Sequence, residues 1–476
     1  MMLSVLGENE VWRLHEASLM ILRDVGVHLP HEDALALFED AGARVDHARQ
    51  HVFIPETLVT WALQVCGKQF TLYGRDRSKT AVFGAGQRNY NSVAGEAFWV
   101  DDQANRRYAS LEDVATAARL VDALPNINIA GAMSDPHEMP PEYRCVFVAA
   151  ELLKNTTKPI MFWFHDRASA KFVLELFEIV AGSREQAAAF PVAYPFLEPI
   201  SPLRFPRHGV DLLFETCKVP LPVPIGPMAQ VGATAPGTLA GTLAQENAEI
   251  LAGICLVQLI HAGTPVCYGG IPHAFDMRTT QMIFAGPEQA LMAVAMTQLG
   301  KTYGLPVYIN VGLTDSKVPD GQAGIEAGIT LAMGAMAGAD VFGHLGICGM
   351  DQGSSLAMLM LQHELIGYVE RLARGIAVNE DTLGLDTIRA VGPGGNFLAE
   401  THTALHFRNE LWFPALLDRH YFETWAELGR PDILQRGIAA KNEILAAHQP
   451  APLPDDVNKA VERLLTDARK HLGKIS

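Results

Sequence analysis

Charge is scarce in this chain: Asp, Glu, Lys and Arg make up 19% of its 476 residues, against 49% hydrophobic residues. That balance shows no sign of disorder and supplies ample material for a large interior. Positive charge is scarcer still, and the net charge is −16. No basic run is present that could track a phosphate backbone, so nucleic acid is not an expected partner. Cysteine is sparse, six in all (Cys66, Cys145, Cys217, Cys255, Cys267 and Cys348), and no Cys-x-x-Cys pair occurs. Buried thiols in a reducing compartment are the reading. The first residues, Met1 to Leu6, run straight into Glu8 and Glu10, without the basic flank and apolar core of a signal peptide, so the chain is expected in the cytoplasm.

Uninterrupted apolar runs of membrane length are also missing. The uncharged stretch from Ile250 to Phe275 is broken by Gln258, His261, Pro265 and Gly269-Gly270, and the one from Val219 to Gln245 by five prolines. Neither holds the ~20 apolar helical residues that a bilayer demands. No Gly-x-Gly-x-x-Gly opens a helix after the first strand, which removes support for a dinucleotide-binding sheet.

What is present is a rhythm. Residues 9 to 42 carry apolar side chains at helical spacing around a break at Gly26 to Pro30, and Gln69 to Gly74 and Ala97 to Asp101 read as short strands. From about residue 110, buried strands alternate with helices. The strands are expected at 127–132, 159–164, 192–199, 219–228, 265–271, 307–312 and 340–346, several introduced by turns such as Gly263-Thr264-Pro265 and Gly304-Leu305-Pro306. An eighth unit is sought between Ile376 and Phe397. The expected fold is α/β: a (β/α)8 TIM barrel over 111–400, an N-terminal α+β extension over 1–110, and a C-terminal helical segment over 401–476 packed on the barrel. That last segment is rich in histidine and aromatics, among them His402, His406, Trp412 and Tyr421.

Polar groups at strand ends mark the candidate mouth of such a barrel. Glu198 follows Pro195-Phe196-Leu197, where it would complement a cation, orient a partner or bond loop amides. Gln230 follows Ile225 to Ala229 in uncharged surroundings, and His344 sits near the end of Ala339 to Gly346. Asp315 and Lys317 follow strand 307–312 and are expected to shape the rim. His344 and Cys348 alone are too few for a zinc site, which needs three protein ligands, so no metal is expected. No lysine lies within the strands to form a Schiff base, which disfavours a barrel aldolase.

Several stretches, in order along nearly the whole chain, resemble the trimethylamine methyltransferase family. They are Asn89 to Gly95, Glu198 to Leu203, Gly312 to Lys317 with Asp320 to Gly324, Gly346 to Gly353, and Gly392 to Leu398. The resemblance implies a barrel whose mouth docks a separate corrinoid protein, with a methyl group passing from a methylated amine to Co(I) of that partner's cobamide. Founding members carry pyrrolysine, whereas this chain is built from the twenty ordinary residues. The departure turns the expectation toward a quaternary amine such as glycine betaine. Another methylated amine, or a barrel that binds a quaternary amine without turning it over, are the alternatives, and self-association is left open.

A quaternary ammonium leaves as a neutral amine and needs no proton to activate it, so a dry, well-shaped site suffices. Its head group is commonly held on aromatic faces. Rings near the strand ends are Trp163, Phe164, Tyr194, Phe196, Tyr268, Tyr308 and Phe342, with Tyr90 and Phe397 approaching from outside. The substrate-contact set expected is Tyr90, Tyr194, Glu198, Gln230, Tyr268, His344 and Phe397. His344 would donate to a substrate carboxylate.

Overall fold

The computed structural model describes residues 3–219 and 221–474. At its centre is a curled parallel sheet in the order Val223–Ile225, Val266–Gly270, Val307–Ile309, Val341–Leu345, Asn89–Ser92. The first four carry valine and isoleucine and are buried throughout, as strands covered on both faces must be. Hydrogen bonds carry the curl onward. Asn91 bridges to Ile129 in parallel, and Ala130–Gly131 pairs with Ile160–Met161. Ile160 N–H then donates to Val192 O at 2.9 Å, and Leu197 N–H to Pro224 O at 2.9 Å.

Helices alternate with these segments, among them Leu111–Ala123, Pro141–Asn155, Arg167–Ala181, Leu239–Ile260, Pro287–Thr302, Gly321–Ala337 and Leu356–Arg374. Their starts carry local signals: a Ser110 capping box, Pro287 at the first turn, and Asp320 and Ser355 as N-caps. Leu239–Ile260 is long and apolar enough to cross a membrane, but 89% of its apolar window is buried inside the protein. Glu246, Asn247 and Glu249 on this helix are buried as well. The closing helix Asp455–Leu472 lays Val461, Leu464, Leu465, Ala468 and Leu472 against the core in the spacing of one helical face.

The stretch between Ile376 and Phe397 corrects the sequence reading. It forms two short helices, Glu380–Leu383 and Leu385–Val391, and no strand. The strand that extends the sheet beyond Val341–Leu345 is Asn89–Ser92, from the N-terminal portion. Its sequence, Asn-Tyr-Asn-Ser, has none of the apolar alternation that marks a strand. It is held by side-chain bonds instead: Asn89 Nδ2 donates to Val82 O at 2.7 Å, and Ser92 Oγ accepts Gly131 N–H at 2.7 Å. Several other expected strands shrink: 127–132 to Ala130–Gly131 and 159–164 to Ile160–Met161. Residues 192–199 keep one bridge at Leu197, and 219–228 narrows to Val223–Ile225.

One end of the curl is stoppered. The hairpin Phe70–Tyr73 and Thr80–Phe83 sends Leu72 and Phe83 into the same apolar cluster as Ile129, Met161, Tyr194, Cys267, Tyr308 and Val341. Close by in the chain, the Lys158 ammonium donates to the carbonyls of Val121, Leu124 and Ile127 at 2.7, 2.6 and 2.7 Å. Val121 lies in the last turn of Leu111–Ala123, where an ammonium complements the negative end of the helix. Burial pulls this lysine's pKa down to about 8, partly offset by Asp122.

Candidate active site

Four aromatic side chains meet on the inner side of the curl, toward the carboxyl ends of the strands. Trp163 lies edge-on to Phe196 at 6.2 Å and to His344 at 6.4 Å. Tyr308 lies 5.3 Å from Phe196 and 6.1 Å from His344. Trp163 is fixed by its indole N–H, which donates to Gly95 O at 3.0 Å. Tyr308 requires a glycine on the neighbouring strand, because a Cβ on Gly343 would sit 1.8 Å from the phenol oxygen. His344, next in sequence, has φ +68°, a backbone conformation that side-chain-bearing residues adopt only when their surroundings impose it.

Polar atoms in this region lack partners. The Tyr308 hydroxyl, both side-chain polar atoms of Asn310 and both ring nitrogens of His344 and His273 are buried without a hydrogen-bond partner. An orphaned buried polar group costs roughly 1–3 kcal/mol. Burial keeps both imidazoles neutral, lowering His344 to about 4 and His273, with His344 adding to the effect, to about 3.

Three carboxyls border the aromatic group. Glu96 adjoins Gly95, whose carbonyl holds Trp163. Burial raises the Glu198 carboxyl to about 7, with Asp351 adding to it, and raises Asp351 to about 6. Glu96 is pushed well above the ordinary carboxylate range, by burial first and then by Asp351 and Glu198. Glu198 is solvent-exposed and Asp351 half-buried, so both carboxyls remain open to solvent beside the aromatic group. Among the described residues, the charges that shift these three carboxyls are one another's, with no cation among them.

The rim is held by buried anchors behind it. Glu246 accepts the amides of Ala229 (3.2 Å) and Ile271 (2.8 Å), tying together the loops after two adjacent strands. Gln362 joins Gly346 N–H to the carbonyl of Gly312, which it reaches at 2.6 Å. Asp315 accepts the amides of Phe284 and Ala285 at 3.0 and 3.4 Å. Lys317 donates to the backbone carbonyl of Asp315 at 2.9 Å, so the two shape the rim separately and not through a carboxylate–ammonium pair.

Of the residues expected at substrate, Glu198 and His344 lie in this recess, and Trp163, Phe196 and Tyr308 supply its rings. Gln230 borders it: its strand pairs with the one that begins at His273, and its side-chain amide lies 3.5 Å from Met282 Sδ. Tyr194 faces inward but deeper, edge-on to Phe83 at 6.1 Å with its hydroxyl on Met161 Sδ at 3.4 Å, where it fills the core. Three side chains lie elsewhere. Tyr268 points outward and donates to Asn247 Oδ1 at 2.8 Å. Tyr90 also points outward, stacked on Phe342 at 4.8 Å with its hydroxyl on Glu370. Phe397 lies on the surface of the C-terminal segment, 44% exposed. Phe164 packs with Phe162 and Phe177 on the outer side.

Glu96, Asp351, Asn310 and His273 escaped the sequence reading. Glu96 and Asp351 stand beside or inside stretches already singled out, and Asn310 shares the face of Tyr308 by two-residue periodicity. His273 carries no such signal. Converging metal-type side chains occur, among the described residues, at Asp381, His402 and His406 on the C-terminal segment, with ligand atoms within 4.8 Å of one another. A groove of about 610 Å³ beside Leu14, Leu243 and Leu291 is apolar and lacks convergent polar groups, so it does not compete with the recess.

The family model described as "Trimethylamine methyltransferase (MTTB)" matches residues 1–473. The chain is 30% identical over 473 residues to a glycine betaine methyltransferase of Desulfitobacterium hafniense (strain Y51), covering 99% of this chain and 98% of that one. It is 30% identical over 490 residues to the trimethylamine methyltransferase MttB of Methanosarcina barkeri, covering 98% and 96%. The solved hydroxylamine complex of MtmB is similar in fold, with a TM-score of 0.50 at 12% identity over 98% of this chain and 92% of that one. The chain belongs to the trimethylamine methyltransferase family and is a methyltransferase.

Proposed function

We propose that this chain moves a methyl group from a quaternary ammonium, glycine betaine or a similar compound, to Co(I) of a corrinoid protein docked at the rim. The architecture in this reading is a closed (β/α)8 barrel, supported by the links from Asn91 through Ile129, Ile160 and Val192 to Leu197 and Pro224. Its portions are 1–110, which lends the strand Asn89–Ser92, 111–400 and 401–476. The reading places the chain in the cytoplasm, in keeping with six free, buried cysteines.

The observation that carries the proposal is an aromatic group facing carboxyls that no cation balances. Each ring in contact with an ammonium contributes about 0.5–2 kcal/mol. The carboxyls fit the same charge, and a bound cation draws them back to their ionised form. Tyr308, Asn310 and His344 offer neutral polar atoms beneath the rings for the remainder of the substrate. The residues orient one methyl toward the rim and exclude water, and the leaving amine departs neutral. A reduced corrinoid carried by the partner supplies the nucleophile, and no metal held by this chain enters the scheme.

Incubation with glycine betaine and a Co(I) cobamide tests this. Methylcobamide and dimethylglycine are expected in equal amounts. Tight binding of quaternary amines without methylcobamide would instead favour a binding barrel. Turnover of tertiary amines alone would assign the other substrate class of the family.

A further inference from the structure

Outside the recess, two imidazoles and a carboxylate converge on the C-terminal segment. His402 and His406 stand four residues apart on the helix Thr401–Glu410 and therefore share one face. Their rings lie 4.3 Å apart, tilted by 38°. Asp381, on the short helix Glu380–Leu383, meets both. Its backbone carbonyl is 2.9 Å from His402 Nε2, and its carboxylate Oδ2 is 3.4 Å from His406 Nε2. Gly384 makes room for this approach, because a Cβ there would stand 3.0 Å from His402 Nε2.

The 3.4 Å separation is too long for a charge-assisted hydrogen bond, which closes to about 2.7–2.9 Å. It is the spacing of two ligands on one ion: an oxygen and a nitrogen each about 2.1 Å from a tetrahedral zinc stand about 3.4 Å apart. The ligand atoms of all three side chains lie within 4.8 Å of one another, and side-chain rotation closes the difference. Two imidazoles and one carboxylate suit zinc and its neighbours nickel, cobalt and copper, whereas calcium and magnesium take oxygen ligands. The segment also has a use for such an ion. Its helices Glu380–Leu383, Leu385–Val391, Thr401–Glu410 and Phe422–Glu427 bury no residue, and helices of four to ten residues are not stable by themselves in water. A small unit without a core of its own is commonly held by a structural metal. An ion here joins the helix of Asp381 to the helix of both histidines and closes the intervening chain into a loop. We propose that Asp381, His402 and His406 form a structural site for one divalent transition-metal ion of the zinc type, with water in the remaining position. The ion clips the segment together and takes no part in methyl transfer.

Zinc uptake by the untagged full-length chain, stripped with a chelator and titrated against a chromogenic competitor, tests this. One equivalent is expected to bind with a Kd at or below about 1 µM. Asp381→Asn and His406→Gln should each weaken it by about 10-fold or more. His47→Gln, which removes an imidazole 3.0 Å from Glu39 on another surface, should leave it unchanged. The Asp381 side chain is 76% exposed, so Asp381→Asn keeps the fold and decides the matter alone if the histidine variant misfolds. A wild-type chain that takes up no such equivalent overturns the proposal, as does zinc binding that either substitution leaves unchanged. Trypsin cleavage after Arg389, which lies between Asp381 and His402, reads the clip itself. At ten times Kd, zinc bound only to the closed segment slows cleavage there about 10-fold. Cleavage as fast with zinc as without it overturns the structural role.

Discussion

Replacing Glu198 with Gln separates the cost of the recess from its purpose. The carboxyl titrates near 7 in the folded protein, raised by burial and then by Asp351, and near the ordinary 4.5 when unfolded. A group raised in this way costs nothing below pH 4.5, where both states hold the proton. Stability is lost as pH climbs from 4.5 through about 7, because the unfolded chain ionises first. The full shift would be worth about 3 kcal/mol at 1.36 kcal/mol per unit. Glu198 keeps accessible surface, and screening reduces this to about 1–2 kcal/mol. Glu198→Gln is therefore expected to unfold at a higher urea concentration than wild type at pH 8.5 and at the same concentration at pH 4.5. The same substitution removes a charge that faces the cation, so a quaternary ammonium should bind about 5- to 10-fold more weakly by calorimetry at pH 8.5, a loss of about 1–1.4 kcal/mol. A variant destabilised at pH 8.5, or one that binds the cation as tightly as wild type, refutes the reasoning.

Trp163→Leu should weaken binding of a quaternary ammonium by about 0.5–2 kcal/mol, or 2- to 30-fold, while sparing a neutral tert-butyl analogue of the same shape; calorimetry with the pair checks it. His344 has its folded pKa depressed to about 4, so its contribution to stability is present above pH 6.5 and is lost as pH falls from there toward 4. His344→Asn, which tolerates the positive φ, should flatten that part of the urea-midpoint profile. Tyr268→Phe should cost about 1 kcal/mol of stability, because Asn247 loses a partner, and leave KM unchanged. A raised KM would show that the outward placement of this ring is wrong.

How much of this was legible in the sequence depended on where the physical signal lay. The strands at 266–270 and 307–309 announce themselves as short apolar runs behind turns holding glycine and proline, and 341–345 as an uncharged run after Gly338-Ala339-Asp340. Asn89–Ser92 does not, since side-chain amides secure it in place of apolar alternation. Glu198 and His344 could be found from their positions at strand ends. Their neighbours Glu96 and Asp351 arrive from loops, and loop ends are brought together by tertiary packing that no local period encodes. The outward direction of Tyr268 and Tyr90 was illegible for a narrower reason: one step along a strand turns a side chain from one face to the other, and composition does not say which step applies. Leu239–Ile260 shows the converse case, where a membrane-like run turns out to carry the glutamates that brace the rim.

The stopper made by Leu72 and Phe83 has a kinetic consequence. Under the proposed function, a base closed in this way makes the site a cul-de-sac, so the amine would be loaded before a large methyl acceptor caps the opening. Turnover would then be ordered, with the bulky methyl acceptor arriving last and leaving first.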